Sequence, residues 1–84
     1  MEEAAYRAAL ARQVRKDAAA RTPTTFLVEV VEHGGYWILS VPQIPGVRAR
    51  ADNRQEITQA ATAVIAAALE VPYHFFELHF RFRG

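Results

Sequence analysis

The residues with chemical potential are few and widely spaced. His33 sits in a glycine turn, His74 follows a proline, and His79 lies five residues later on an alternating run, so no compact metal-ligand spacing joins them. The 84-residue chain has no cysteine, which removes thiolate ligands and disulfides. Glu29 and Glu32 share a β-type run but point to opposite faces, and Glu77 is the one other carboxylate expected to neighbour Glu29 across strands. Two carboxylates do not make the cluster that two-metal phosphoryl chemistry requires. Ser40 is the only serine and lacks the strand-to-helix glycine setting of a hydrolase nucleophile. The sequence therefore predicts no catalytic residue, no metal and no cofactor.

Arginine offers a different chemistry. Arg48, Arg50 and Arg54 form one short basic group and Arg81 and Arg83 another, each able to steer a phosphate backbone or an acidic surface. No aromatic residue is interleaved with them in sequence to stack bases. Net charge is only +1, divided as +2 over positions 1–21 and −1 over the rest. Nucleic acid is a weakly supported partner on these numbers.

These side chains must be carried by a small frame. A chain of 84 residues is one domain and buries only about 60–65% of its unfolded surface, so a homo-oligomer (a dimer or higher) or another partner is expected to supply further burial. No run approaches the roughly 20 apolar residues of a membrane span and the N-terminus lacks an apolar leader, so no membrane association and a cytoplasmic location are expected.

Positions 2–20, rich in alanine and arginine without glycine or proline, predict a helix with a narrow Tyr6-Leu10-Val14 stripe; Thr22-Pro23-Thr24 ends it. Thr25 to Glu32 reads as a strand with Phe26, Val28 and Val30 on one face and Leu27, Glu29 and Val31 on the other. Glu32-His33-Gly34-Gly35 reverses the chain into a second strand, Tyr36 to Val41, whose Trp37, Leu39 and Val41 oppose Tyr36, Ile38 and Ser40. Pro42 and Pro45 interrupt any ladder and Gly46 permits a positive φ, so these three residues form a structural turn. A third strand from Val47 to Ala51 places Arg48 and Arg50 on one side. Asn53 and Glu56 read as a capping box, opening a helix with Ile57, Ala60, Ala61, Val64, Ile65, Ala68 and Leu69 on its apolar face. After Val71-Pro72, a fourth strand alternates Phe76, Leu78, Phe80 and Phe82 with charged residues, at an exposed sheet edge open to pairing between subunits.

The fold class is thus α+β in the order α-β-β-β-α-β. A three-stranded antiparallel sheet plus a fourth strand packs on one core helix, and an extra N-terminal helix precedes it. Positions 1–22 form the N-terminal amphipathic helix and 25–83 the main domain.

The aromatic strand, Pro42-Gln43-Ile44-Pro45-Gly46 and the Asp52-Asn53-Arg54-Gln55-Glu56-Ile57 helix start resemble the N-terminal domain of HicB-type antitoxins over about positions 25–82. That resemblance implies a partial RNase H-like fold and a non-catalytic protein that binds and masks a small HicA-like, mRNA-cleaving toxin. Family members that repress transcription usually add a DNA-binding segment after the last strand; this sequence stops at Gly84, so the resemblance leaves operator binding open. The alternatives are a solitary homo-oligomeric binding domain and a nucleic-acid-binding regulator.

The core helix can cover only one sheet face, which leaves Leu27, Val31, Tyr36 and Ile38 needing cover. The stripe of the first helix, a second subunit or a toxin are the candidates. The expected partner-binding residues are Tyr36, Ile38, Arg48 and Arg50 on that second face, with Trp37 assigned to the core.

Overall fold

The computed structural model describes residues 2–83. Helix α1 (Glu2–Ala19) leads to strand β1 (Thr24–Glu32), then β2 (Trp37–Ser40) and β3 (Arg48–Ala51). A short 3₁₀ turn opens helix α2 (Ile57–Leu69), and a second precedes β4 (Phe76–Arg83). The four strands form a mixed sheet in the order β3-β2-β1-β4, antiparallel through β3-β2-β1 and parallel between β1 and β4. The α+β class and the element order stand as expected; the fourth strand joins the same sheet, at its edge beside β1.

Alternation along each strand decides which residues meet. Val30 pairs with Leu39 and Leu39 with Ala49, while Phe26, Val28 and Val30 pair with Leu78, Phe80 and Phe82. These residues share the helix-covered face, where Ile57, Ala61, Ile65 and Leu69 of α2 recur every four residues and bury the stripe that the sequence predicts. Phe26 is fully buried and meets the Phe76 ring edge-on at 5.7 Å.

Helix α1 lies on the same side of the sheet as α2. Its Ala11 and Val14 are buried in the one core that holds Phe26, Val28 and Ile65, and Leu10 packs against it. Tyr6 is about half exposed and is held by its hydroxyl, which donates to the Gln43 carbonyl at 2.6 Å. Of the three candidate covers for Leu27, Val31, Tyr36 and Ile38, the Tyr6-Leu10-Val14 stripe is therefore ruled out. Both helices compete for one face because that face carries the larger apolar rows, and the other face stays uncovered.

The turns follow from backbone chemistry. Between β1 and β2, Gly34 and Gly35 both take positive φ and the His33 amide donates to the Tyr36 carbonyl at 2.7 Å, the combination that suits the twist of a hairpin. Tyr36 itself belongs to this turn, and β2 begins one residue later than expected. After β2 come two consecutive turns, closed by Ile44 N–H to Val41 O and Val47 N–H to Ile44 O. In the second, Pro45 precedes Gly46 at φ +86°, the arrangement of a type II turn. Ile44 between them is fully buried, so the loop is pinned by a core side chain. Asn53 accepts from the Glu56 amide as expected of a capping box, whereas the Glu56 carboxylate reaches the Asp52 amide, one residue beyond the expected partner.

Where β2 ends, Gln43 takes over its hydrogen bonding. The Gln43 Oε1 accepts from the Leu27 amide at 3.0 Å and its Nε2 donates to the Thr25 carbonyl at 3.3 Å. A side-chain amide thus replaces a ladder that Pro42 interrupts. Gln43→Ala strips both partners from β1, and urea unfolding is expected to show a loss of about 1–3 kcal/mol; Gln43→Glu, which keeps the acceptor only, falls between.

Both helices end on non-glycine residues in the left-handed region, Arg21 at φ 62° and Glu70 at φ 53°. That conformation costs an L-residue about 1–2 kcal/mol, partly offset by the chain entropy that glycine adds. Glu70→Gly should therefore stabilise by about 0.5–1 kcal/mol, raising Tm by about 3–6 °C in a thermal melt. The Arg15 side chain still finds its acceptor, because it bonds the Glu70 carbonyl at 2.7 Å and not the side chain.

At the α1–β1 junction, Asp17 accepts from Thr24 Oγ1 at 2.6 Å and Gln13 Nε2 at 2.7 Å. These hydrogen bonds, Thr24 first, hold its carboxyl below the usual 3.8, with the Lys16 charge adding to the effect. A lowered folded-state value contributes stability that is present above 3.8 and is lost as pH falls through the folded value. Acid titration monitored by circular dichroism should find Asp17→Asn less pH-dependent than wild type in that window.

Candidate functional site: the uncovered sheet face

The face opposite the helices gathers Thr25, Leu27, Glu29 and Val31 of β1, Ile38 and Ser40 of β2, Arg48 and Arg50 of β3, and Glu77, His79, Arg81 and Arg83 of β4. Registration orders them into rows across the sheet. One row runs Arg48, Ser40, Glu29, Arg81 and the next runs Arg50, Ile38, Val31, Arg83. The face therefore holds Leu27, Val31, Ile38, Ser40 and the Glu29 carboxylate at its centre, with two arginines on either edge. Leu27, Val31 and Ile38 are half-buried only by their neighbours, and none of them joins the core beneath the helices.

Glu29 organises one edge. Its Oε2 lies 3.3 Å from Arg81 and 3.7 Å from Arg83, with the Glu29 side chain about one-fifth exposed. Glu77 instead pairs with Thr25, four residues along the ladder. The expected Glu29–Glu77 neighbourhood is thus replaced by an arginine clamp, because β4 runs parallel to β1 and brings its C-terminal arginines up to Glu29. Exposed ion pairs of this kind contribute little to stability, so their weight is in orienting the guanidinium groups.

At the other edge, Arg50 bonds Asp52 at 2.8 Å and its guanidinium lies 4.0 Å from the centroid of Tyr36. Tyr36 also stacks with His33 at 5.8 Å. Tyr36, Ile38, Arg48 and Arg50, the four predicted partner-binding residues, are brought together on one side of the sheet. Trp37 is half-buried on the other side, packed against the core, in keeping with its assignment there. The sequence places Tyr36 on this face with Arg48 and Arg50; the structure adds the direct stack of the Arg50 guanidinium on its ring.

Arg54 leaves that group. It sits at the start of α2, on the covered side of the sheet, with its guanidinium 5.5 Å from the Phe82 ring. The reason is local: the 3₁₀ turn after β3 carries the chain over the sheet edge before α2 begins. Arg81 and Arg83 share the uncovered face with Arg48 and Arg50 but stand at the opposite edge of the sheet, with two strands between.

The remaining chemical groups are apart. His33 stacks in the hairpin turn, His74 lies in the 3₁₀ turn before β4 and His79 pairs across the ladder from Leu27. Among the described residues, no three His, Cys, Asp or Glu side chains are placed to hold one metal ion. A recess lies between α1 and α2, lined by Glu3, Arg7, Ala8 and Leu69, and the turn at Gly46 approaches its wall through Arg7. No helix among the described residues is long and apolar enough to cross a membrane. Compared with known proteins, the chain matches no family model, no curated protein and no solved structure.

Proposed function

We propose that this chain is a binding module of the HicB-like antitoxin type, which masks a small HicA-type, mRNA-cleaving toxin with the uncovered face of its sheet and performs no catalysis. The observation that carries this reading is a sheet face that neither helix covers, where the half-buried Val31 and Ile38 lie between Arg50 and Arg83 with Leu27 beside them. Arginine around an apolar centre is the composition of protein interfaces, in which a few such anchors carry most of the binding energy. The element order strand, strand, strand, helix, strand and the proline-glycine turn after the aromatic strand support the sharper, family-level form of the reading. The arginines require carboxylates or other acceptors on the toxin surface that meets them.

Co-expression with the product of the neighbouring reading frame tests this. The expected result is a stable complex and relief of the toxin's growth arrest. No complex together with no rescue would sink the antitoxin reading and favour a solitary domain.

A second reading, a nucleic-acid-binding regulator, is favoured by the Arg50–Tyr36 stack beside Arg48. It predicts salt-dependent binding of a single-stranded oligonucleotide whose log–log salt slope weakens by about 1.4 in Arg48→Ala/Arg50→Ala, two phosphate contacts at about 0.7 each. A slope unchanged by that double substitution counts against it.

A further inference from the structure

We infer that β4 is a self-pairing edge: two copies of this chain join β4 to β4 antiparallel, about a two-fold axis normal to the sheet and centred on His79. This stands independently of what the uncovered face binds. The first observation is the edge itself. Strand β4 is eight residues long, ends the sheet, and contacts no element extensively except β1. Its outward backbone groups therefore lack a ladder partner, and it has no proline, no lysine and no covering helix; its charged residues, Glu77, Arg81 and Arg83, alternate on one face, where a second copy can pair them.

The occupant follows from symmetry and charge. A two-fold antiparallel pair keeps opposed residues on one face only when it centres on a residue, not between two. Centred on His79, it sets Glu77 opposite Arg81 of the second copy, twice. Centred one residue later, on Phe80, it would set Glu77 opposite Arg83 but put His79 against Arg81 with no carboxylate between them; centring on His79 gives Arg81 the carboxylate instead. Glu77 has no ion-pair partner among the described residues of a single chain, so the second copy supplies one. On the covered face the same register brings Leu78 against Phe80 and Phe76 against Phe82. That covers Phe82, which is 53% exposed in the single chain. The axis is normal to the sheet, so both sets of helices lie on one side and both arginine-edged faces form one continuous surface on the other.

The absence of native cysteine makes the register directly readable. His79→Cys should form a disulfide-linked dimer under mild oxidation, since opposed residues in an antiparallel pair lie within disulfide reach. Glu77→Cys and Arg81→Cys should not link alone, because like positions are about 14 Å apart, but should link when mixed. Wild-type chain should run at twice its 9.4 kDa mass in light scattering, and Glu77→Arg should weaken the dimer at least tenfold by dilution. A wild-type chain that stays at 9.4 kDa at every concentration, or a Glu77→Cys that links as readily as His79→Cys, would overturn the proposal.

Discussion

Reversing the charge at Arg48 and Arg50 together, by Arg48→Glu/Arg50→Glu, is expected to weaken partner binding at least a hundredfold while leaving Tm within a few degrees of wild type. Both residues are exposed on β3, and neither side chain contributes to the core. Arg50 loses its pair with Asp52 and its stack on Tyr36, exposed contacts worth little to the fold. At an interface the same groups are desolvated, and a reversed charge meets the partner's acceptors with repulsion; a hundredfold corresponds to about 2.7 kcal/mol, within the range of truncated interfacial charge pairs. Calorimetry on wild type and variant would read it. Binding that tightens on reversal would show a basic contact surface on the partner and reject this face as its acceptor-seeking site.

The second large effect is on the fold. Phe26→Ala removes a fully buried ring from the first half of β1, together with its edge-on contact with Phe76. Such truncations cost about 3–5 kcal/mol, and a chain of 84 residues has a total stability of about 4–13 kcal/mol. Urea unfolding followed by circular dichroism should show the variant's stability lowered by about 3–5 kcal/mol, and Phe26→Leu should recover most of the loss. A Phe26→Ala melt within about 1 kcal/mol of wild type would contradict the core assignment.

What the sequence disclosed divides along physical lines. The facing of Phe26, Val28 and Val30 against Leu27, Glu29 and Val31 was legible because the period of two is a local property, and so was the four-residue recurrence of Ile57, Ala61, Ile65 and Leu69. Pro42, Pro45 and Gly46 announced a turn because each restricts or frees φ on its own. The position of β4 was not legible in detail. Whether it lies beside β1 and in which register depends on how α2 spans the sheet, and so the meeting of Glu29 with Arg81 and Arg83, more than fifty residues on, had no local signature. The side chosen by α1 was equally hidden. Its stripe is narrow enough to dock on either face, and the choice rests on Ala11 and Val14 finding room beside α2. Gln43 was visible only as the variable position of a proline turn; its role follows from the loop lying alongside β1. The four predicted partner-binding residues do share one face, and the arginines of β4 complete it.

The claim that the partner docks on the face opposite both helices has a direct measurement in methyl NMR. Leu27, Val31 and Ile38 carry methyl groups on the uncovered face, while Val28, Val30 and Leu39, their neighbours in the same strands, carry them on the covered one. On titrating the neighbouring-frame product into the chain, shifts are expected to concentrate at Leu27, Val31 and Ile38, with Val28, Val30 and Leu39 nearly unmoved. Shifts confined to the covered-face methyls, or none at all in a formed complex, would contradict it.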